Sequence, residues 1–134
     1  MRKSAYEVAD DLPELVQLFK ALSDETRLRV LNLLLERECC VCEVMQVLDI
    51  SQPRASRALK ALYDAGILHL RKEGSWALYS IEEAGRRGYL SGLVRAVAEA
   101  LEASRQIETD REHLKKAERI GPGATECRRR AQDA

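Results

Sequence analysis

Aromatic side chains and histidines are scarce in this chain, and neither sign of charge is in excess. Of its 134 residues, 4% are aromatic, 2 are histidine, and 22 basic side chains balance 22 acidic ones. No apolar run approaches the ~20 residues that a membrane-spanning helix needs. A chain of this length buries roughly two-thirds of its unfolded surface, so a single mostly helical domain needs no metal or disulfide to fold.

The N-terminus has none of the features of a secretory signal. The segment 1–4 is followed by Glu7, Asp10 and Asp11 where a signal would have an apolar core. This pattern predicts a cytoplasmic protein with no membrane partner. In that reducing compartment, cysteines are expected to be free thiols that bind metal or sense oxidants, rather than structural disulfides. The sequence has 4 cysteines, and three of them stand together in Cys39-Cys40-Val41-Cys42.

Apolar residues at helical spacing predict three helices in the first third of the chain. The first covers residues 6–21. A second helix, capped by Ser23 or Asp24, ends near Glu38, and a short third helix ends near Asp49.

The middle of the chain predicts a further helix and then a β-hairpin. Ser51 has the character of an N-cap with Pro53 in the first turn, and this fourth helix ends at Gly66. Over residues 67–81, apolar side chains alternate around a charged turn at Lys72-Glu73-Gly74-Ser75, which is typical of a two-stranded hairpin.

The last third of the chain divides at about residue 104. A long apolar stripe from Leu90 to Leu101 predicts a helix over 84–104, and the stripe exceeds what one small core needs. With the helix at 6–21 it predicts a homodimer interface. Residues 1–104 are therefore expected to form one dimerising domain, and residues 105–134 a charged C-terminal extension that is helical at first and partly disordered.

The basic excess lies in the middle third, where residues 51–80 carry five basic and two acidic side chains. Two short helices joined by a tight link and followed by a hairpin form a winged helix-turn-helix, whose second helix reads DNA. Its polar face and the hairpin turn carry groups suited to base edges and phosphates. The predicted DNA-binding residues are Gln52, Pro53, Arg54, Ser56, Arg57, Lys60, Arg71 and Lys72.

Four ordered blocks of the sequence resemble the ArsR/SmtB family of bacterial metal-responsive repressors. The resemblance covers about residues 8–104, and it implies a homodimeric winged-helix protein that leaves its operator DNA when a metal or metalloid binds. The Cys-Val-Cys block resembles the arsenic-sensing branch. The four blocks are Ala21-Leu22-Ser23-Asp24-Glu25-Thr26-Arg27-Leu28-Arg29-Val30-Leu31, Cys40-Val41-Cys42-Glu43-Val44, Ser51-Gln52-Pro53-Arg54-Ala55-Ser56-Arg57-Ala58-Leu59 and Arg71-Lys72-Glu73-Gly74-Ser75-Trp76-Ala77-Leu78-Tyr79.

The thiol cluster predicts a site for soft ions. Arsenic(III) and antimony(III) favour thiolate sulfur, so they are the predicted inducers, with Cys39, Cys40 and Cys42 as predicted ligands. Members of the arsenic branch often have a third cysteine three residues after the second, and Met45 stands there. Either Cys39 or Cys127 is expected to supply the third sulfur instead.

The spacing of the cluster has mechanical and electrostatic consequences. Side chains at i and i+2 of a helix point apart, so Cys40 and Cys42 hold one ion only if the helix start is not helical or if binding distorts it. Distortion of this helix start is expected to change the orientation of the recognition helix. A helix N-terminus is also expected to lower the thiol pKa.

Three other functions fit the sequence to different degrees. A repressor of the same fold that responds to oxidants, persulfides, cadmium or lead would use the same thiols. An enzyme is disfavoured because there is no Cys-x-x-Cys pair, phosphate-binding glycine loop or acid/base pair. A metallochaperone would leave Gln52, Arg54 and Arg57 unexplained. The side chains of His69, His113, Trp76 and Tyr79 are expected to be surface or packing residues.

Overall fold

The computed structural model describes residues 3–82 and 88–120, with side chains described from Leu12 onward. Over these ranges the chain forms six helices and one antiparallel two-stranded sheet, and no helix is long and apolar enough to cross a membrane. In chain order the elements are α1 (Lys3–Leu22), α2 (Glu25–Glu36), α3 (Val41–Leu48), α4 (Gln52–Asp64), β1 (Leu68–Glu73), β2 (Trp76–Ile81), α5 (Gly88–Leu101) and α6 (Arg105–Lys116).

The helices and the hairpin occupy the positions that the apolar spacing predicts. The described part of α5 lies inside the predicted helix over 84–104 and ends at Leu101, three residues earlier than predicted. Residues 84–87 of the predicted helix lie outside the described ranges. The predicted helical start of the C-terminal extension is α6. Residues 121–134, where the rest of that extension falls, also lie outside the described ranges.

A tight turn joins α3 to α4 and sets the angle between them. Asp49 has left-handed backbone angles (φ 56°, ψ 53°), which short polar side chains tolerate, and its N–H donates to the Met45 carbonyl over 2.8 Å. Ser51 then caps α4 by accepting a hydrogen bond from the Arg54 N–H at 3.3 Å. With the hairpin behind it, this pair of helices makes the fold a winged helix-turn-helix, as predicted.

Helix α2 lies at the centre of the core. Its Leu31 and Leu33 are fully buried, and so are Leu59 and Leu62 of α4 and Leu78 of β2. Helix α2 contacts the other described helices and β2. Helix α4, the predicted recognition helix, and the hairpin β1–β2, the wing, are therefore both packed on α2.

The hairpin is joined to the segment before α3 as well as to its own partner strand. Its turn places Gly74 at a positive φ of 60°, a conformation that glycine adopts without strain. Tyr79 of β2 exchanges two backbone hydrogen bonds with Cys39, at 2.8 and 3.0 Å. The thiol cluster is therefore connected directly to the wing.

Helix α6 packs against α2 and α3, although its sequence is mostly charged. Ile107 and Leu114 are buried, and Asp110 is buried between them. Arg29 of α2 donates two hydrogen bonds to the Asp110 carboxylate, at 2.8 and 3.0 Å, and this contact raises the pKa of Arg29. A charge-assisted pair thus fixes α6 on the core.

Replacement of Asp110 is expected to weaken the fold. Asp110→Ala leaves the half-buried Arg29 without its partner, and loss of one member of such a pair lowers the free energy of unfolding by about 3 kcal/mol. Urea denaturation followed by circular dichroism measures this change. The matched control is Glu112→Ala, which removes an exposed carboxylate of the same helix and is expected to change stability by less than about 0.5 kcal/mol. Equal effects of the two substitutions would contradict this role of Asp110.

Candidate nucleic-acid interface and thiol site

The predicted reading face of α4 lies on the surface of the molecule. Ala55, Ala58, Leu59 and Leu62 are buried on one side of the helix, and this leaves the polar side chains exposed on the other. Those side chains belong to Gln52, Pro53, Arg54, Arg57 and Lys60, with Ser56 partly buried among them.

Several side chains of this face are engaged with neighbours on the same helix. Gln52 donates to the Ser56 hydroxyl over 2.7 Å, and Lys60 forms an ion pair with Asp64 at 2.8 Å. In the part of the chain that the structure describes, the Arg57 side chain has no hydrogen-bond or ion-pair partner. Arg57 is thus an exposed cation at the centre of the face, with its donors available to a ligand.

The two basic residues of the wing differ in their surroundings. Arg71 contacts the Glu38 carboxylate at 2.7 and 2.9 Å and the Glu73 carboxylate at 2.9 Å, and both contacts raise its pKa. The Lys72 side chain is exposed and has no such partner within the described ranges. In this conformation Lys72 is available for a phosphate, whereas Arg71 connects the wing to the residue before the thiol cluster.

The predicted metal ligands lie together in sequence but in different environments. Cys39 is fully buried beside the wing, and its thiol donates to the Arg37 carbonyl over 3.5 Å. Cys40 and Cys42 are buried at the start of α3. Among the described residues, no three cysteine, histidine or acidic side chains are grouped so that they could hold a metal. The structure therefore does not bring Cys39, Cys40 and Cys42 together into a ready-made site.

The start of α3 is not helical at Cys40. This residue is the N-cap, with extended backbone angles (φ −95°, ψ 171°), and its N–H donates to the Glu43 carboxylate over 2.8 Å. Cys42 lies within the helix, so the two thiols are not related by helical i,i+2 geometry. Of the two geometries that the spacing allows, the structure has the one in which the helix start is already non-helical.

The expected lowering of the thiol pKa values at this helix start is wrong. Burial raises the pKa of Cys39 to about 12 and also raises that of Cys40. At Cys40 the backbone N–H of Glu43 acts in the opposite direction, as a helix N-terminus should, but burial is the larger effect. The two thiols are therefore protonated at neutral pH.

The three cysteines of the cluster differ in their bonding. Cys39 and Cys40 carry free thiols, whereas Cys42 is disulfide-bonded. The Cys42 sulfur also accepts a hydrogen bond from the Gln46 amide over 3.2 Å.

Charged side chains around the thiols were not predicted from the sequence. The carboxylate of Glu43 is buried between Arg37, at 2.7 Å, and Arg119, at 3.2 Å. The spacing of Glu43 from Cys40 is that of a capping box and is a local signal. Arg119 is 76 residues away from Glu43 along the chain, and no local pattern indicates that contact.

Two curated relatives are similar to about half of this chain. The model of the family "Bacterial regulatory protein, arsR family" matches residues 24–69. An arsenical resistance operon repressor of Escherichia coli is 49% identical over 67 residues, which are 49% of this chain and 57% of that protein. A protein of the same name from Bacillus subtilis is 34% identical over 76 residues, covering 56% of this chain and 72% of its own length.

A solved structure has the same fold. It is the homodimeric winged helix-turn-helix DNA-binding domain of Mb0332 from Mycobacterium bovis, described as a possible ArsR-family transcriptional regulator. The TM-score is 0.58 at 26% identity, over 78% of this chain and 88% of the other. Against several of the curated relatives, the chain spans only 51% to 59% of their length.

Proposed function

Because this chain belongs to the arsR family of bacterial regulatory proteins, we propose that it is a DNA-binding transcriptional repressor that arsenite or antimonite releases from its operator. The family consists of regulatory proteins, so the prediction of a regulator rather than an enzyme is confirmed. The observation that carries the proposal is the position of the buried thiols at the start of α3, with the wing on one side and the recognition helix on the other. An operator-binding repressor acts in the cytoplasm.

DNA recognition is assigned to α4 and the wing. Arg57 stands at the centre of an exposed polar face, where its guanidinium can donate two hydrogen bonds to a guanine. Gln52 and Arg54 lie beside it in the first turn. The Gln52 amide suits adenine, and the Arg54 guanidinium suits guanine or phosphate. Lys72 is placed on the wing, where a single positive charge neutralises phosphate without reading sequence.

We assign homodimerisation to α1 and α5. On α1, Leu12, Val16 and Phe19 are exposed to solvent, and Phe19 lies in one apolar groove with Leu93 and Val97 of α5. Such an apolar surface is unfavourable in water and suits a second copy of the chain. Each recognition helix of the dimer would then read one half-site, with half-site centres about 34–36 Å apart.

Two contacts connect the thiols to the DNA-binding elements. Glu38, directly before the cluster, binds Arg71 of the wing, and the Cys39 backbone is bonded to Tyr79 of the wing. On the other side, α3 leads into α4 through the turn at Asp49. Once the disulfide at Cys42 is reduced, an ion that draws Cys40 and Cys42 together shifts the wing and the recognition helix. The ion favours the released conformation because it binds that geometry more tightly.

The choice of inducer follows from the donor atoms. Thiolate sulfur is a soft ligand that favours arsenic(III) and antimony(III), and also cadmium and lead, over magnesium. The sequence around Cys39, Cys40 and Cys42 contains no histidine, a common zinc ligand. Two relatives are named arsenical resistance operon repressors, and these names support the choice of arsenite within this group of ions.

A thiol-redox repressor is the second candidate, and the disulfide at Cys42 favours it. Oxidation of two thiols to a disulfide transfers two electrons and two protons to a peroxide, which becomes two water molecules, or one water and an alcohol. The same connection to the wing would then transmit the change. Release of DNA by hydrogen peroxide but not by arsenite would select this alternative.

Substitution of Arg57 tests the DNA-binding assignment. The operator is first selected with the purified protein from a pool of random duplexes. If Arg57 reads a base, Arg57→Ala weakens operator binding by about 1–3 kcal/mol and leaves binding to random DNA nearly unchanged. The control Lys72→Ala is expected to weaken binding to both DNAs alike and to flatten the salt dependence. An equal loss on both DNAs for Arg57→Ala would make it a phosphate contact.

A further inference from the structure

A short segment after α6 contacts both α3 and the wing. We define residues 117–120 as the C-terminal strap. The Gln46 side chain of α3 pairs with both backbone polar groups of Glu118, donating to its carbonyl over 2.6 Å and accepting from its N–H at 3.0 Å. Trp76 of the wing donates its indole N–H to the Ile120 carbonyl over 3.1 Å. The strap is thus bonded to α3 and to the wing.

The strap is also fixed to the rest of the domain by charge and by apolar packing. Arg119 donates to the buried Glu43 carboxylate and to the Glu38 carbonyl, each over 3.2 Å. Ala117 and Ile120, at the two ends of the strap, are partly buried against the hydrophobic core. Every residue of the strap therefore has a contact with the domain, and such a segment is a stable support for a group that is bonded to it.

The wing needs a support near its turn, because an isolated two-stranded hairpin is only marginally stable. Away from the turn, the backbone of Tyr79 is paired with the segment before α3. Closer to the turn, Arg71 is bonded to Glu38 and Trp76 is bonded to Ile120. Binding of Arg71 to a DNA phosphate would compete with its ion pair. The Trp76 contact uses no group that DNA binding requires, so it can persist in the complex with DNA.

We infer that the C-terminal strap positions the wing for DNA binding, and that Trp76 is the positioning residue that connects the strap to the wing. Trp76 lies beside the hairpin turn and pairs with Glu73 of β1, and Lys72 is the next residue on that strand. A strap that fixes Trp76 therefore limits the movement of Lys72. A phosphate contact of Lys72 then costs less conformational entropy than it would on a mobile hairpin.

This inference rests on the DNA binding in the proposed function and does not depend on the inducer. The Trp76 side chain is itself unsuited to contact DNA, because it is partly buried against the core and its N–H is already bonded to Ile120. Its effect on DNA binding is therefore expected to pass through Lys72, which is exposed on the wing.

Two substitutions that keep the charge of the full chain loosen the strap at different contacts. Trp76→Phe keeps an aromatic ring against the core but removes the N–H that the Ile120 carbonyl accepts. Gln46→Ala removes the amide that pairs with Glu118 and places a strong helix former in α3. Each variant is expected to bind operator and random DNA at least about threefold more weakly than the wild type. The control Gln17→Ala removes an exposed amide of α1 and is expected to bind as the wild type does.

The Lys72→Ala background supplies a readout that a general loss of structure would not change. If the strap acts through Lys72, neither Trp76→Phe nor Gln46→Ala weakens DNA binding further in that background. Each variant alone is expected to flatten the salt dependence of DNA affinity, toward the change in slope of about 0.9 that the loss of one phosphate contact gives. Anisotropy of labelled duplexes over a range of salt concentrations measures both quantities, and circular dichroism checks that each variant is folded.

The outcomes separate this inference from the proposed inducer. A loss of affinity as large in the Lys72→Ala background as in the wild type would overturn the inference, because the variants would then act on the fold. Wild-type affinity for both variants would overturn it too. An effect of Trp76→Phe without one of Gln46→Ala would also contradict it, because Trp76 would then act without the strap. A wild-type protein that binds operator but is not released by arsenite would contradict the inducer alone.

Discussion

The Cys40→Ser, Cys42→Ser double variant is expected to bind operator DNA as the wild type does and to stay bound at arsenite concentrations that release the wild type. Serine is a favourable N-cap, so the replacement of Cys40 preserves the start of α3. At position 42 the Gln46 amide can donate to a hydroxyl as it does to the sulfur. The fold and the reading face are therefore kept.

The loss of response follows from ligand chemistry and linkage. A hydroxyl oxygen is a poor ligand for a soft ion, so the variant loses its affinity for arsenite. An ion shifts a conformational equilibrium only by its differential affinity for the two states. When that differential affinity is lost, the repressor stays on the DNA. Gel mobility shift with increasing arsenite measures this, and Cys39→Ser, measured beside it, tests the remaining predicted ligand of the cluster. Release of the double variant at the wild-type concentration would place the sensing site elsewhere.

The Phe19→Asp variant is expected to be monomeric and to bind operator at least about a hundredfold more weakly than the wild type. The exposed fractions of Leu12, Val16 and Phe19 are 66%, 46% and 54% in the single chain. In a dimer these side chains would be buried, and an unpaired carboxylate among them is strongly unfavourable. The affinity falls because each recognition helix must then bind its half-site without the other.

Sedimentation equilibrium at micromolar concentration and anisotropy with labelled operator measure the two effects. The control is Gln17→Asp, which adds a carboxylate at an exposed position on another side of α1 and should leave both the dimer and the affinity unchanged. A wild-type protein that sediments as a monomer at these concentrations would contradict the assignment of this surface.

Local patterns were sufficient to predict the elements that carry the proposed DNA-binding surface. The cap at Ser51, the proline in the first turn and the apolar stripe of α4 depend on neighbours a few residues away, and the structure has each of them. The alternation around Gly74 likewise predicted the wing. The polar face that includes Arg57 followed because helical periodicity fixes which side chains are exposed.

The surroundings of the thiols depend on contacts between distant parts of the chain. Burial of Cys39 and Cys40 comes from packing against the wing and the core, and it reverses the pKa shift that the helix N-terminus alone would give. The pairing of Arg71 with Glu38 joins residues 33 positions apart. The sequence predicted that Arg71 binds DNA because this residue lies at the hairpin turn. Its position in the hairpin gives no indication that Glu38 is close to it.

The packing of the C-terminal extension was the largest feature that the sequence did not indicate. Helix α6 has few apolar residues, and polar contacts hold it on the core. Asp110 accepts from Arg29. Asn32 donates to the Ile107 carbonyl and accepts from Arg111. Hydrophobic periodicity does not detect such polar contacts. Residues 117–120 follow α6 and contact Gln46 and Glu43 of α3, so a segment with the composition of a solvated tail borders the proposed sensor.

The most direct test of the account is a titration of arsenite into the wild-type protein bound to fluorescent operator DNA, with a phosphine reductant present to reduce the disulfide at Cys42. The account predicts that anisotropy falls to the value of free DNA with arsenite or antimonite and does not change with zinc at the same concentrations. If the complex stays intact at saturating arsenite, or if zinc releases it equally well, the thiols of α3 are not the metalloid sensor proposed for this repressor.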